Sequence, residues 1–86
     1  MPEISRFFGI IIAMYYNDHD PPHFHARYGS YKAIIAIDPP TLMVGDLPPR
    51  ALGMVIEWAT LHQVALRENF AAARAAQPLE KIEPLH

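Results

Sequence analysis

The stretch from residue 23 to residue 38 reads His23-Phe24-His25-Ala26-Arg27-Tyr28-Gly29-Ser30-Tyr31-Lys32-Ala33-Ile34-Ile35-Ala36-Ile37-Asp38. Two apolar-rich runs flank Gly29-Ser30, which is a two-residue turn signal of the hairpin type. We therefore predict two antiparallel strands, from His23 to Tyr28 and from Tyr31 to Asp38. This hairpin is the centre of the predicted fold.

The register of that hairpin assigns each side chain to a face of the sheet, because directly paired residues share a face. With Tyr28 opposite Tyr31, the core face carries Phe24, Ala26, Tyr28, Tyr31, Ala33, Ile35 and Ile37. The other face carries His23, His25, Arg27, Lys32, Ile34 and Ala36. A slip of one residue would bury two histidines, an arginine and a lysine, so the hydrophobic pattern fixes this register.

The remaining segments predict a small α+β protein. The run from Phe7 to Tyr16 is apolar at odd and at even positions, so a strand formed by it would be apolar on both faces. It therefore predicts one strand that is covered on both faces. Thr41 to Val44 predicts a short further strand. Arg50 to Ala76 has the three-and-four spacing of one long helix, or of two helices with a break near residues 60–62. The predicted fold is an antiparallel sheet of three to four strands with a β-hairpin core, packed on a C-terminal helix or helix pair.

Length and composition narrow the class of protein. The 86 residues predict a single domain over 1–86, and 51% of them are hydrophobic, which argues against disorder. The formal net charge is −2, so the charge of the whole molecule does not indicate nucleic-acid binding. Any cationic surface is therefore local. The chain has no cysteine, and its start does not resemble a secretory signal. We predict a cytoplasmic protein with no membrane segment.

The segment Asp18-His19-Asp20-Pro21-Pro22-His23-Phe24-His25-Ala26 holds three of the five histidines. His23 and His25 lie two residues apart on a strand, about 6–7 Å at Cα, which suits a general acid and a general base. Arg27 beside them suits an oxyanion or a phosphate. If the protein is an enzyme, this set (catalytic His23, His25 and Arg27) predicts metal-independent ribonuclease-like cleavage. Arg27, Lys32 and Arg6 are the candidate nucleic-acid contacts, and an ordinary polar strand face is the alternative.

A metal site is the runner-up interpretation of the same histidines. His19, His23 and His25 would be its ligands, with Asp18 or Asp20 in reserve. The spacing is loose, and His19 joins the others only if the turn at Pro21-Pro22 folds back. We therefore predict no functional metal and no cofactor, only adventitious binding. His62, within the helical apolar stripe, is expected to be a core residue or to reach the hairpin site.

Several segments together resemble a small bacterial family called domain of unknown function 4160. They are Ile4-Ser5-Arg6-Phe7, Asn17-Asp18-His19, Pro21-Pro22-His23-Phe24-His25, Tyr28-Gly29, Leu47-Pro48, Arg50-Ala51-Leu52, Glu57-Trp58, Pro78-Leu79 and Lys81-Ile82-Glu83-Pro84-Leu85. The resemblance implies a component of a two-gene module of toxin–antitoxin type, and it implies no particular activity. The chain departs from the family pattern near Lys32, where an acid is common, and near Pro49, where a basic residue is common.

Two functional hypotheses follow. In the first, the protein contacts or cleaves RNA through the histidine- and arginine-bearing face of the hairpin. In the second, it is a non-catalytic module that binds a cognate small protein from an adjacent gene through the sheet edge and the extended tail from Leu79 to His86. A strand that needs cover on both faces also predicts a homodimer or a heteromer.

Overall fold

The computed structural model describes residues 2–86. Five antiparallel strands form one sheet in sequence order, and two helices follow. The elements are β1 (Glu3–Phe7), β2 (Ile10–Ala13), β3 (His23–Tyr28), β4 (Tyr31–Ile37), β5 (Pro40–Gly45), α1 (Pro49–Leu61) and α2 (Gln63–Arg74). The α+β class is confirmed, and the sheet has five strands rather than three to four.

The central hairpin has the predicted register. Tyr28 pairs with Tyr31, Arg27 with Lys32 and His25 with Ile34. The core face is as expected over most of its length, since Phe24 and Ile35 are fully buried. The tyrosine pair next to the turn belongs to the same face but is exposed. The hydrophobic pattern therefore sets which side chains of β3 and β4 face the helices.

The prediction of one strand from Phe7 to Tyr16 is wrong, because this run is a second hairpin. β1 and β2 pair with Phe7 opposite Ile10, which leaves Phe8 and Gly9 as the two turn residues. Both have positive φ, 49° and 80°, as a type I′ hairpin turn requires. The homodimer or heteromer that was predicted from a strand apolar on both faces stays a prediction.

The helical region divides where the sequence suggested. α1 begins with Pro49 in its first turn, a position that suits proline, and ends at Leu61. His62 separates the helices, and its backbone N–H donates to the carbonyl oxygens of Ala59 and Trp58. No helix within residues 2–86 is long and apolar enough to cross a membrane.

The core lies between the helices and one face of the sheet. Trp58 of α1 is its largest fully buried side chain. The centroid of the Trp58 ring lies 5.4 Å from that of Phe7 and 5.7 Å from that of Phe24. α1 therefore packs on β1 and β3 together, which leaves the opposite face of the sheet without a helical layer.

The tail after α2 has no helix or strand and packs on its own chain. The backbone N–H of Ile82 donates to the carbonyl oxygen of Ile4 on β1 at 2.8 Å, and the Ile82 side chain is buried in the core. The indole Nε1–H of Trp58 donates to the carbonyl oxygen of Glu83 at 2.8 Å. The tail therefore lies beside the β1 edge of its own sheet.

Candidate functional site

The loop between β2 and β3 (residues 14–22) folds back over the start of β3. The backbone N–H of Asn17 donates to the carbonyl oxygen of Ala73 in α2 at 3.2 Å. Arg74 of α2 forms an ion pair with Asp20 at 2.7 Å, and the Asp20-Pro21 peptide bond is cis. Because the C-terminal end of α2 fixes the loop at two points, Asp18 is brought to the first residues of β3.

His23 is the best-anchored side chain of the site, with 7% of its side chain exposed. Its Nδ1 lies 2.8 Å from the carbonyl oxygen of Pro21, and its Nε2 lies 2.8 Å from Oδ2 of Asp18. The sequence placed His23 on an open polar face, but the folded-back loop covers it. Its ring instead lies 5.5 Å from that of Phe70 in α2.

His25 contacts the same carboxylate from the open face of the sheet. Its Nε2 lies 3.4 Å from Oδ2 of Asp18, and the edge of its ring contacts Tyr15 with the ring centroids 4.4 Å apart. The other oxygen of Asp18, Oδ1, accepts the backbone N–H of His19 at 3.1 Å. One oxygen of Asp18 is thus used by the loop, and the other faces both imidazoles.

The surroundings shift the pKa values of two members of this cluster. Burial raises the pKa of the Asp18 carboxyl, but the contacts with His25 and His23 and the backbone N–H of His19 together outweigh burial, and the net pKa lies below the ordinary aspartate value. Burial lowers the pKa of His25, and the hydrogen bond to Asp18 offsets part of this effect. Near neutral pH, the lowered pKa of Asp18 favours an ionised carboxylate, and the lowered pKa of His25 favours a neutral imidazole.

The lowered pKa of Asp18 predicts a pH-dependent contribution to stability. A carboxylate whose pKa is lower in the folded state stabilises the fold above the ordinary aspartate pKa of about 3.9, and that stabilisation is lost as pH falls through the folded-state pKa. We expect wild type to exceed Asp18→Asn in free energy of unfolding at about pH 5 and the difference to shrink by about pH 3. Urea unfolding in EDTA, followed by Trp58 fluorescence, measures it. A difference that stays constant over this range would contradict the assignment.

The open face of the sheet, opposite the helices, forms a pocket of about 400 Å³ beside this cluster. Cross-strand pairing aligns its residues in two rows, since Ala13 pairs with His25 and His25 with Ile34, while Ile11 pairs with Arg27 and Arg27 with Lys32. Paired residues share a face, so the sheet itself gathers these side chains. The residues that matter chemically are His25, Arg27, Lys32, Tyr15, Ile11 and Ile34.

The three predicted cationic contacts lie in one of these rows. Arg6 of β1 pairs with Ile11, which continues the row to Arg27 and Lys32. Arg6 is already bound by Glu3, with Nη2 to Oε1 at 2.7 Å, and the hydrogen bond from Arg6 is the main reason that the pKa of Glu3 is lowered. Neither Arg27 nor Lys32 forms a salt bridge with a carboxylate anywhere in residues 2–86.

Two predicted participants lie outside the site. The side chain of His19 is 92% exposed; its Nδ1 lies 3.5 Å from Asp18 Oδ1, and its ring centroid lies 6.4 Å from that of His23. His62 lies between the helices with its ring 5.6 Å from that of Trp58, and its side chain lines a different pocket, beside Glu80 and Lys81. Sequence reasoning held Asp18 only in reserve, whereas it is the residue that both His23 and His25 contact.

The comparison with known families agrees with the resemblance drawn from the motifs. The family described as Domain of unknown function (DUF4160) matches residues 9–71 of the 86-residue chain. No curated protein and no solved structure matches the chain. The matched range contains Asp18, His23, His25, Arg27 and Lys32, whereas Arg6 and the tail lie outside it. The protein therefore belongs to the DUF4160 family.

Proposed function

We propose that the protein binds single-stranded RNA through the open face of the sheet, as one component of a two-gene module of toxin–antitoxin type. The observation that carries the proposal is the pair formed by Arg27 and Lys32. These two cations lie directly opposite each other on β3 and β4 and border the pocket, and neither is neutralised by a salt bridge within residues 2–86. A phosphate group is an anionic ligand that two adjacent cations can bind through charge-assisted hydrogen bonds.

The pocket also suits the other part of a nucleotide. Adjacent strands lie about 4.8 Å apart, so Arg27 and Lys32 can hold one phosphate between them. Ile11 and Ile34 give the pocket an apolar floor, and Tyr15 adds an aromatic ring at its edge. Apolar and aromatic surfaces next to a cationic groove are typical of proteins that bind single strands through base stacking.

The geometry supports binding more than metal-independent cleavage. An acid–base pair acting on one phosphodiester needs two imidazoles that reach the substrate. His25 lines the pocket, but His23 is buried and both of its ring nitrogens already face protein oxygens. The proposal is therefore restricted to RNA contact, with His25 at the edge of the contact surface.

The proposal predicts that removing the two cations weakens RNA binding. In Arg27→Gln with Lys32→Gln, we expect the dissociation constant for a labelled single-stranded RNA to rise by about 10- to 100-fold at low salt, because two charge-assisted contacts are lost. The slope of log affinity against log salt should fall by about 0.7, the value for the loss of one phosphate contact on a single strand. Fluorescence anisotropy in EDTA, at several salt concentrations, measures both quantities.

The matched control is Arg50→Gln with Arg67→Gln, which removes the same charge from exposed positions on α1 and α2. It should leave RNA affinity within about twofold, apart from a weak long-range effect of charge. An equal loss in both double variants would mean that binding follows net charge and would contradict the proposal.

A specific observation favours the second candidate function, which is binding of a cognate small protein. β5 is an edge strand of the sheet and exposes Leu42, Met43 and Val44, and an exposed apolar edge can pair with a strand of another chain. The RNA experiment separates the two functions. If the protein only binds a protein partner, RNA affinity will be weak and insensitive to Arg27 and Lys32.

A further inference from the structure

We propose that Asp18, His23 and His25 form a binding site for one divalent transition-metal ion, at the edge of the open-face pocket. One carboxylate and two imidazoles offer ligand atoms that all lie within 4.8 Å of one another. This donor set, two histidines and one carboxylate with further positions open, is one that Fe(II) and Zn²⁺ accept. The inference does not depend on the RNA proposal, since it concerns a different set of residues apart from His25.

The hydrogen bonding of His23 is the main argument. Its Nδ1 faces the carbonyl oxygen of Pro21, which can only accept, so Nδ1 carries a proton. A neutral ring then has a bare Nε2, and this atom is 2.8 Å from Oδ2 of Asp18, which at neutral pH is also a pure acceptor. Two lone pairs facing each other at this distance repel, so something positive must lie between or near them.

Either a second proton on His23 or a metal ion supplies that positive charge. A second proton on His23 accounts for the contact of His23 alone, whereas His25 Nε2 also points at the same Asp18 oxygen, from 3.4 Å. A metal ion accounts for all three donor atoms at once.

The surroundings of the ligands resemble those of established metal sites. A metal-binding histidine commonly donates its second N–H to a backbone carbonyl, which fixes the tautomer and the ring, and the bond from His23 to Pro21 is of this kind. The loop carrying Asp18 is fixed by Asn17 and Asp20 to α2. The donor atoms of His23 and Asp18 are therefore held in place before any ion binds.

The open coordination positions of the ion would face the open-face pocket. His25 is 27% exposed and lines the pocket together with Arg27 and Lys32. A ligand bound in the pocket would thus lie next to the ion. The sequence-based prediction of adventitious binding assumed His19 as the third ligand, whereas the structure offers Asp18 in that position.

The test is titration of metal-free protein with Zn²⁺ by calorimetry and with Co²⁺ by visible absorption. We expect one ion per chain and a Co²⁺ spectrum of low coordination number. Asp18→Asn and His25→Gln should each weaken Zn²⁺ binding by about 100-fold or more, since even an outer-shell partner is worth 10–100-fold. His19→Ala is the matched control, because His19 is adjacent in sequence and its side chain is 92% exposed, and it should bind like wild type.

Thermal unfolding gives a second readout that keeps the test decisive. Zn²⁺ should raise the midpoint of wild type and His19→Ala but not of Asp18→Asn or His25→Gln, and circular dichroism checks that each variant folds without metal. Binding seen only at millimolar Zn²⁺, or lost in His19→Ala and retained in Asp18→Asn, would overturn the proposal. RNA affinity in EDTA is measured separately, so failure of the metal site and failure of RNA binding can be told apart.

Discussion

A protein that ends at Pro78 is expected not to fold cooperatively, although only the eight residues 79–86 are removed. Ile82 is buried in the core, and loss of such a side chain typically costs 2–5 kcal/mol. The truncation also leaves buried polar groups without partners. The side-chain amide of Asn69, itself buried, donates to the carbonyl oxygen of Glu80 at 2.8 Å and accepts the Glu80 N–H at 2.9 Å.

Two further bonds depend on the same segment. Ile82 N–H donates to Ile4 and Trp58 Nε1–H donates to Glu83, and each buried group left unpaired costs about 1–3 kcal/mol. The total approaches the whole stability of a typical domain, about 5–15 kcal/mol. Circular dichroism and urea unfolding test this expectation. Removal of His86 alone, an exposed residue, should change little.

This expectation bears on the interaction hypothesis as well. A truncation that weakens partner binding would not identify the tail as the contact, because the tail is part of the folded core. A cooperatively folded truncated protein with near wild-type stability would contradict the packing described for residues 79–86.

Replacing Trp58 with alanine is expected to cost about 3–5 kcal/mol of unfolding free energy, the range for large aromatic side chains in cores. Trp58 is fully buried, contacts the rings of Phe7 and Phe24, and hydrogen-bonds to Glu83. A single change therefore removes contacts that join α1, β1, β3 and the tail. Urea unfolding measures the loss.

The control for Trp58 is Leu61→Ala on the same helix, because Leu61 is 66% exposed. That change should stay within about 0.5 kcal/mol of wild type, as is usual for surface positions. If the two variants lose similar amounts of stability, α1 does not pack on the sheet through Trp58.

The two hairpins show how far turn chemistry reveals the fold. Gly29-Ser30 is a recognisable turn signal between two regular runs, so the register of β3 and β4 could be predicted residue by residue. Phe8-Gly9 is not such a signal, because a bulky residue such as Phe8 seldom adopts positive φ. The Phe8 side chain is exposed. A bulky apolar residue thus occupies a turn position where hairpins usually have Asn, Asp or Gly.

The strand residues of the candidate site could be predicted from the sequence, but the position of its loop residue, Asp18, could not. Strand periodicity put His25, Arg27 and Lys32 on one face, because pairing and alternation depend only on local spacing. The position of Asp18 depends on contacts between its loop and α2, at Ala73 and Arg74. Such contacts between distant segments carry no local sequence signal, and they also determine the burial of His23.

The most direct test of the central claim, that the open face of the sheet is the functional surface, is a ¹H–¹⁵N NMR titration of the full chain with single-stranded RNA in EDTA. The account predicts concentration-dependent shifts for residues around the pocket, with Arg27, Lys32, His25 and Tyr15 among the largest. Residues on the far side of the helices, such as Leu61 and Val64, should be unaffected. Shifts confined to the helices, or no shifts at low salt, would contradict it.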